Sequence, residues 1–296
     1  MIGVLGVILP LNEMIIYGKK ISKEKINLII NEVQAKKEYS NFSEKYIIKY
    51  MQHLLKKKSK VLEFISSEQD IEEIKKKKIF QNLIKEIREK VRRIYGVYIT
   101  KKYNKKEEYL AEKNIELLLK SHLSTKERFS DYKEIYGKIK ELTEEPKTIL
   151  DLGCGLNPLS QKYIGEYLEY NASDISEKDI KFLKQAYAKF GFKGNLFRAD
   201  LSEEKELIKL NKYKTDWCLI LKALDPIEES NQNISYKLVP AIKSRWIIVS
   251  FPTLTVSQKK MRNPRRNWFE KILIRTNKQF NTFETKNELF YIIKNF

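Results

Sequence analysis

Ile149-Leu150-Asp151-Leu152-Gly153-Cys154-Gly155-Leu156-Asn157-Pro158-Leu159 is the stretch of this 296-residue sequence that decides the fold. Its first four residues are mainly apolar and predict the end of a short buried strand. Gly153 and Gly155 follow, and glycine readily adopts a left-handed backbone and lets a ligand approach the chain. Asn157 and Pro158 then predict the cap and first turn of a helix. A strand, a glycine turn and a helix N-terminus together can hold a nucleotide-like cofactor.

Three further strands are predicted downstream, and a polar residue stands at the end of each. The second strand ends at Asp174, about 20 residues after the glycine turn, where a ribose would need an acceptor. The third strand, Asn195 to Ala199, ends at Asp200, and the fourth, Asp216 to Leu221, ends at Lys222. Helix-length segments separate the strands, so the sequence predicts a doubly wound α/β sheet with its ligand at the carboxyl edge. This is the pattern of S-adenosylmethionine-dependent methyltransferases.

The last 51 residues complete the predicted sheet. Trp246 to Pro252 is a fifth strand, and a polar segment from Thr253 to Pro264, the basic loop, follows it. A basic helix comes next, and residues 280–285 and 288–293 predict a closing hairpin. Five strands and a hairpin make the seven strands of a class I methyltransferase, a Rossmann-like sheet.

The positive charge of the chain is concentrated at its two ends. The sequence has 58 Lys and Arg against 39 Asp and Glu, a net charge of +19. Residues 1–100 carry 21 basic and 12 acidic side chains, residues 237–296 carry 13 and 3, and the region between is balanced. This asymmetry favours a polyanionic partner that contacts both ends. Lysines that only solvate helix faces are the alternative.

The cysteines, the histidines and the N-terminus exclude several classes of protein. Cys154 and Cys218 lie in apolar strand contexts and are predicted to be reduced core residues. Two histidines and no Cys/His cluster argue against a metal site. The apolar segment from Met1 to Tyr17 has no basic region before it and is interrupted by Pro10, which fits neither a signal peptide nor a membrane span. We expect a soluble, cytoplasmic monomer without membrane association.

Helical periodicity precedes the strands and divides the chain. Residues 1–20 are predicted to be an extension, residues 21–120 a helical domain, and residues 121–296 the methyltransferase domain. A helix over 124–142 is expected to lead into that domain. Ser124 and Glu127 have the spacing of a capping box, with Ser124 as the cap.

Three separated blocks of this sequence resemble one family, the aminoglycoside-resistance 16S rRNA methyltransferases, which methylate guanine N7 in the ribosomal decoding site. The resemblance covers roughly residues 25–294, and Gly-Leu-Asn-Pro-Leu after the glycine turn is its most specific part. Its main blocks are Ser-His-Leu-Ser-Thr-Lys-Glu-Arg (121–128), Leu-Asp-Leu-Gly-Cys-Gly-Leu-Asn-Pro-Leu (150–159) and Val-Ser-Phe-Pro-Thr (249–253). Shorter matches are Tyr95 to Thr100, Leu221 to Leu224 and Glu288 to Ile293.

The resemblance implies a binding mode for S-adenosyl-L-methionine. Arg128 would hold the methionyl carboxylate, the glycine turn would pass beneath the cofactor, and Asp174 would accept from the ribose hydroxyls. Asp200 and Leu201 would lie at the adenine. The residues predicted to bind the cofactor are Ser124, Thr125, Arg128, Asp151, Gly153, Cys154, Gly155, Asn157, Asp174, Ile175, Asp200, Leu201, Leu221 and Lys222.

The predicted chemistry needs alignment more than proton transfer. Guanine N7 has a free lone pair and no proton, so no catalytic base is assigned, and Lys222 and Ser250 are predicted to line the methyl-transfer pocket. Trp268 or Phe269 would either stack on an extruded guanine or pack the basic helix onto the sheet. The residues predicted to bind RNA are Lys85, Arg88, Arg92, Arg93, Lys259, Lys260, Arg262, Arg265 and Arg266.

The basic loop departs from the family pattern. It has no glycine from Leu254 to Met261, is shorter by about two residues, and has Arg265 about where the family has a tyrosine. The helical domain corresponds to the family's rRNA-docking part, so the expected partner is the 30S subunit. Two alternatives remain: a methyltransferase of another RNA, such as tRNA or a different rRNA site, and a non-catalytic factor that binds RNA or the ribosome.

Overall fold

The computed structural model describes residues 13–36, 39, 44–67, 69–92, 101–255 and 259–296. The chain divides into two compact units, residues 1–97 and residues 98–296. Arg93, predicted to bind RNA, and the shorter family match from Tyr95 to Thr100 lie outside the described residues.

The first unit is a hairpin followed by helices; periodicity predicted the helices but not the hairpin. Tyr17 and Gly18 turn the hairpin with positive φ angles of 49° and 76°. Ser22 caps the first helix by accepting a hydrogen bond from the backbone N–H of Lys25 at 3.4 Å. The elements are β1 (Glu13–Ile16), β2 (Lys19–Ser22), α1 (Lys23–Gln34), α2 (Glu44–Lys57), α3 (Ser59–Ser66), α4 (Ile71–Lys76) and α5 (Lys78–Val91).

The second unit begins earlier than the sequence predicts. The predicted boundary at residue 120 is corrected, because Tyr103, Leu118 and Leu119 belong to the same buried core as Ile149 of the sheet. Periodicity shows that a segment is helical but not which core it packs against. The helices are α6 (Lys106–Ala111), α7 (Ile115–Ser121), α8 (Leu123–Arg128), α9 (Tyr132–Leu142), α10 (Glu177–Phe190), α11 (Leu224–Ser230), α12 (Ser235–Ala241) and α13 (Asn267–Arg275), with 3-10 segments at Lys101–Lys105, Asn157–Tyr163 and Glu204–Lys212.

The second unit contains the predicted seven-stranded sheet. Its strands are β3 (Thr148–Leu152), β4 (Glu169–Asp174), β5 (Leu196–Arg198), β6 (Trp217–Leu221), β7 (Trp246–Pro252), β8 (Gln279–Glu284) and β9 (Glu288–Lys294). The strand order is β5-β4-β3-β6-β7-β9-β8; β3 to β7 are parallel, and β9 is antiparallel to both neighbours. The predicted Rossmann-like fold is confirmed.

Alternate residues of the central strands enter two separate cores. Ile149 and Leu219 face one core, whereas Leu150 and Cys218 face the other. Both faces are covered because side chains alternate along a strand and a parallel sheet carries helices on each side. The chain leaves β3 toward β4 and β5 on one side and returns to β6 and β7 on the other. The carboxyl ends of β3 and β6 therefore flank the crevice where such sheets bind ligands.

Three local predictions next to this crevice are wrong. The helix after the glycine turn is a 3-10 helix in which Asn157 is not the cap, because its side chain is used by buried polar groups instead. The capping box is absent, since α8 begins at Leu123 and has His122 as its cap residue. The predicted helix over 124–142 is two helices, α8 and α9.

None of the helices in the described part of the chain has the length and apolarity that a membrane crossing requires.

Candidate cofactor site and basic surface

The glycine turn lies at the carboxyl end of β3 and has a backbone that only glycine adopts easily. Gly153 and Gly155 have φ angles of 70° and 52°. A Cβ on Gly153 would lie 2.7 Å from the Cβ of Ala223, and one on Gly155 would lie 3.0 Å from Cε1 of His122. The turn therefore needs glycine both for conformation and for the close approach of its neighbours.

Asp174, at the end of β4, is tied to the glycine turn. Its Oδ2 accepts from the backbone N–H of Gly155 at 3.0 Å, and its Oδ1 accepts from that of Ser176 at 2.9 Å. Burial and the nearby Asp179 raise the pKa of Asp174 to about 6, against the lowering effect of these backbone donors. A carboxylate has about four lone-pair sites, more than these backbone donors occupy. That is the acceptor set that a ribose diol requires.

Asp151 anchors the 3-10 helix from below the turn. Its Oδ2 accepts from Nδ2 of Asn157 at 2.9 Å and from the hydroxyl of Tyr170 at 2.8 Å. Its Oδ1 is buried with no hydrogen-bond partner among the described residues. Burial raises the pKa of Asp151 to about 6, although both donors oppose the shift. A buried acceptor with spare capacity is suited to a ligand donor.

A buried ionic cluster joins the ends of α8, β6, β7 and β9. Nε of Arg128 donates to Oε1 of Glu288 at 2.7 Å, and the hydroxyl of Ser250 donates to Oε2 of the same carboxylate at 2.6 Å. Nζ of Lys222 lies 2.5 Å from Oε2 of Glu127 and 3.3 Å from Oε1 of Glu288. Two cations and two carboxylates thus balance in charge at the place predicted for methyl transfer.

Within this cluster, Arg128 keeps one donor unused. Its Nη2 is buried and has no hydrogen-bond partner among the described residues. Burial lowers the pKa of Arg128, but Glu288 together with Tyr132 and Tyr136 outweighs burial, so the pKa is raised. The pKa of Glu288 is lowered because Arg128 and Lys222 outweigh its burial. A permanently charged donor without a partner is suited to the carboxylate of a ligand.

Glu288 and the residues around His122 are site residues that the sequence analysis does not identify. Lys106 is buried and donates to Oδ1 of Asp179 at 2.6 Å and to the hydroxyl of Tyr103 at 3.0 Å. The His122 ring lies 5.8 Å from the Tyr103 ring and against Gly155. Burial lowers the pKa of His122 to about 4, so the ring is neutral near pH 7.

The remaining residues of the predicted cofactor set lie at the same sheet edge or in α8. Leu221 ends β6, and Asp200 follows β5, where its Oδ1 accepts from the backbone N–H and the hydroxyl of Ser202 at 3.1 and 2.6 Å. Ser124 contacts Nδ1 of His122 at 3.2 Å, and the Thr125 hydroxyl donates to the carbonyl of His122 at 3.0 Å. Cys154 and Leu201 are buried, and Ile175 is half-buried.

The cations predicted to bind RNA in the second unit fall into two groups. Lys259, Lys260 and Arg262 are exposed. Arg265 is about half exposed and donates to Oε1 of Glu270 at 2.7 Å. Arg266 differs, because its side chain is only 13% exposed.

The two aromatic residues of α13 pack against the sheet. Phe269 is buried with its ring 5.4 Å from that of Phe251, and the Trp268 ring lies 6.1 Å from the same ring. The packing alternative therefore describes both residues in this structure.

In the first unit, the predicted RNA residues also differ in exposure. Lys85 and Arg92 are exposed. Arg88 is half-buried, and its guanidinium donates to the backbone carbonyls of Glu32 and Val33, the latter at 3.3 Å. Among the described residues, no group of three or more His, Cys, Asp or Glu could hold a metal ion.

Comparison with known proteins gives a family for this arrangement. A family model described as ribosomal RNA methyltransferase (FmrO) matches residues 108–292, more than half of the chain. A 16S rRNA (guanine(1405)-N(7))-methyltransferase of Micromonospora echinospora is 32% identical over 177 residues, which cover 58% of this chain and 63% of that protein. A protein of the same name from Proteus mirabilis is 30% identical over 208 residues, covering 60% of this chain and 70% of that protein. The chain thus spans less than two thirds of the length of the first of these relatives.

Solved structures share the fold. The crystal structure of 16S rRNA methyltransferase RmtF in complex with S-adenosyl-L-homocysteine has a TM-score of 0.69 at 20% identity, covering 92% of this chain and 98% of that one. The structure of the 16S rRNA methylase ArmA has a TM-score of 0.54 at 27% identity, covering 66% and 98%. The family match from 108 to 292 includes the glycine turn, Arg128, Asp174, Lys222 and Glu288. The chain belongs to the ribosomal RNA methyltransferase (FmrO) family.

Proposed function

We propose that this protein transfers a methyl group from S-adenosyl-L-methionine to N7 of a guanine in the decoding site of 16S rRNA, in the 30S subunit. The observation that carries the proposal is the combination, inside the family match, of the glycine turn with Asp174 on one side and a buried, unused Arg128 donor on the other. The relatives described above are named 16S rRNA (guanine(1405)-N(7))-methyltransferases.

The residues present fit the cofactor. Nη2 of Arg128 would donate to the methionyl carboxylate, and the free Oδ1 of Asp151 provides an acceptor for a donor of the same ligand. Asp174 would accept from the ribose hydroxyls alongside the backbone N–H groups of Gly155 and Ser176. When bound, S-adenosylmethionine supplies a methyl group on a positively charged sulfur.

The protein's own contribution to the reaction is alignment. Guanine N7 attacks through a lone pair, so no side chain has to remove a proton, and the ionic cluster needs only to keep its geometry. The Lys222 ammonium is held between two carboxylates, and the Ser250 hydroxyl accepts from the backbone N–H of Lys222 at 3.1 Å while donating to Glu288. This fixes the end of β6, where Lys222 adopts a left-handed φ of 57°.

RNA is expected to contact the exposed cations of both units. Lys259, Lys260, Arg262 and Arg265 provide such a surface in the second unit, and Lys85 and Arg92 belong to the first. Each neutralised phosphate contributes to a steep dependence of binding on salt.

The test is transfer of labelled methyl from S-adenosylmethionine to purified 30S subunits, naked 16S rRNA and tRNA, followed by mapping of the modified nucleotide. The proposal expects label in 16S rRNA of the 30S subunit and a guanine N7 product. Label only in tRNA or at another rRNA site would identify a different RNA as the substrate. Cofactor binding without any transfer would support a non-catalytic factor instead.

A further inference from the structure

Arg266 has the position of an internal anchor rather than of a surface cation. Its Nε donates to both oxygens of Asp225 at 3.2 and 3.1 Å, and its Nη2 lies 2.8 Å from Oδ2. The guanidinium also lies 5.2 Å from the centre of the Phe251 ring. A forked pair of this kind holds both side chains in one geometry.

The remaining side-chain contacts of Arg266 are with the last residue of β7 and with the final residues of the basic loop. Its Nη1 donates to the carbonyl of Pro264 at 2.7 Å and lies 3.9 Å from the sulfur of Met261. Its Nη2 lies 3.5 Å from the carbonyl of Pro252, the last residue of β7. One guanidinium therefore connects the end of β7 with residues 261 and 264.

Residues 259–264 are also paired with the chain after β7. Met261 donates its backbone N–H to the carbonyl of Thr253 at 2.8 Å, and Lys260 forms an antiparallel bridge with Leu254. The exposed Lys259, Lys260 and Arg262 project from this short paired segment.

Asp225, the partner of Arg266, lies close in sequence to Lys222 of the ionic cluster. Asp225 lies in the first turn of α11, which begins two residues after Lys222. The negative charge of Asp225 is favoured there by the helix dipole as well as by Arg266. The pair thus links the segment that presents the cations to the end of β6, where methyl transfer is proposed.

We propose that Arg266 and Asp225 are positioning residues that hold residues 259–264 in register with the methyl-transfer site, and that Arg266 does not contact RNA phosphate. The expected effect of the pair on methyl transfer rests on the proposed function. The structural part of the proposal, that the pair fixes residues 259–264, is independent of any substrate.

The two roles for Arg266 predict opposite effects when Asp225 is changed. If Arg266 contacts phosphate, Asp225→Asn removes a competing negative charge and leaves RNA binding unchanged or stronger. If Arg266 acts through the pair, Asp225→Asn and Arg266→Met cause the same loss. The double variant then loses no more than either single one, because both remove one interaction.

The experiment compares Arg266→Met, Asp225→Asn and their double variant with Arg262→Met, which removes an exposed cation of the same segment. Hydrogen exchange of residues 259–264 is measured in the protein alone, and methyl transfer to 30S subunits is measured over a range of salt concentrations. Calorimetry with S-adenosylhomocysteine verifies that each variant retains a folded cofactor site.

We expect both pair variants to accelerate exchange at 259–264 and to lower kcat/KM by about 10- to 100-fold, as a displaced reacting group does. In a plot of the logarithm of the 30S binding constant against the logarithm of salt concentration, both pair variants should keep the wild-type slope. Arg262→Met should make that slope shallower by about 0.7 to 0.9. Wild-type exchange in both pair variants would overturn the structural part. A reduced salt slope in Arg266→Met together with full activity in Asp225→Asn would make Arg266 a phosphate contact. If the wild-type protein transfers no methyl group to 30S rRNA, the proposed function fails. The hydrogen-exchange result still determines whether Arg266 and Asp225 fix residues 259–264.

Discussion

Replacement of Glu288 by Gln is the most demanding perturbation of the ionic cluster. Glu288 is 1% exposed and is the carboxylate that contacts Arg128, Lys222 and Ser250 together. Gln has nearly the same shape but no charge. The variant therefore leaves two buried cations with Glu127 as the remaining carboxylate of the cluster.

The expected loss of stability follows from this imbalance. Breaking a buried ion pair by removing one partner costs about 3–5 kcal/mol, because the other charge stays desolvated. A domain is stable by only about 5–15 kcal/mol in total. For a unit of this size each kcal/mol lowers Tm by about 2–4 °C, so we expect Glu288→Gln to lower it by roughly 6–20 °C.

The assay is chemical and thermal unfolding of Glu288→Gln at pH 7.5, with Glu284→Gln as the matched control. Glu284 is exposed at the end of β8, in the same hairpin, and its replacement should change stability by no more than about 0.5 kcal/mol. Acid should reduce the difference between wild type and Glu288→Gln. The folded pKa of Glu288 lies below its ordinary value, so its contribution is present above that value and lost as pH falls through the folded pKa.

A loss below about 1 kcal/mol in Glu288→Gln, equal to that of Glu284→Gln, would refute the assignment of Glu288 as the charge that balances the cluster. The same conclusion would follow if the difference between the two variants grew as the pH was lowered below 4.

Three further predictions concern the cofactor and RNA. The pKa of about 6 for Asp174 predicts that S-adenosylhomocysteine affinity is constant above pH 7 and falls by up to about tenfold per pH unit below 6, because the protonated carboxyl loses acceptor capacity. Asp151→Asn removes the other carboxyl with a raised pKa. Calorimetry with this variant should show the same dependence of affinity on pH. Gly155→Ala should lower stability by at least about 1–2 kcal/mol and should remove most of the cofactor affinity. Gly137 lies in α9 with open space around its Cβ, so Gly137→Ala should stabilise the protein by up to about 1 kcal/mol. Equal effects of the two substitutions in unfolding experiments would contradict the argument from backbone strain. Replacing Lys259, Lys260 and Arg262 with Gln should make the slope of log binding constant against log salt concentration, measured with 30S subunits, shallower by about two units without changing cofactor affinity. An unchanged slope would show that these three residues do not bind RNA phosphates.

The sequence was sufficient to predict the sheet because strand signals and glycine chemistry are local. The strands predicted to end at Leu152, Asp174 and Leu221 correspond to β3, β4 and β6, and the hairpin was predicted within one residue at each end. None of these features depends on a distant side chain.

The cluster around Glu288 could not be predicted in the same way. Its members come from four elements separated by up to 160 residues, and no local pattern shows that a glutamate opening an apolar strand faces an arginine in α8. One signal was present: residues 237–296 contain only three acids, and two of them, Glu270 and Glu288, pair with arginines. Scarce acids in a basic region are therefore candidates for internal pairing.

The same limit explains the errors at α8 and at the 3-10 helix. Ser124 and Asn157 both have the spacing of caps, yet their side chains contact His122 and Asp151. Tertiary hydrogen bonds to buried groups outweighed the local preference in both places. Arg266 likewise looks like a phosphate ligand in the sequence, and only the structure shows Asp225 beside it.

The most direct test of the account is the chemical identity of the product on 30S subunits. Subunits incubated with the protein and labelled S-adenosylmethionine are digested, and the labelled nucleoside is identified by mass spectrometry and located by cleavage at N7-methylguanine followed by primer extension. The account predicts a single N7-methylguanine in the decoding site of 16S rRNA, absent when Asp174→Ala replaces the wild-type protein. Unlabelled 16S rRNA, or an undiminished product with Asp174→Ala, would contradict it.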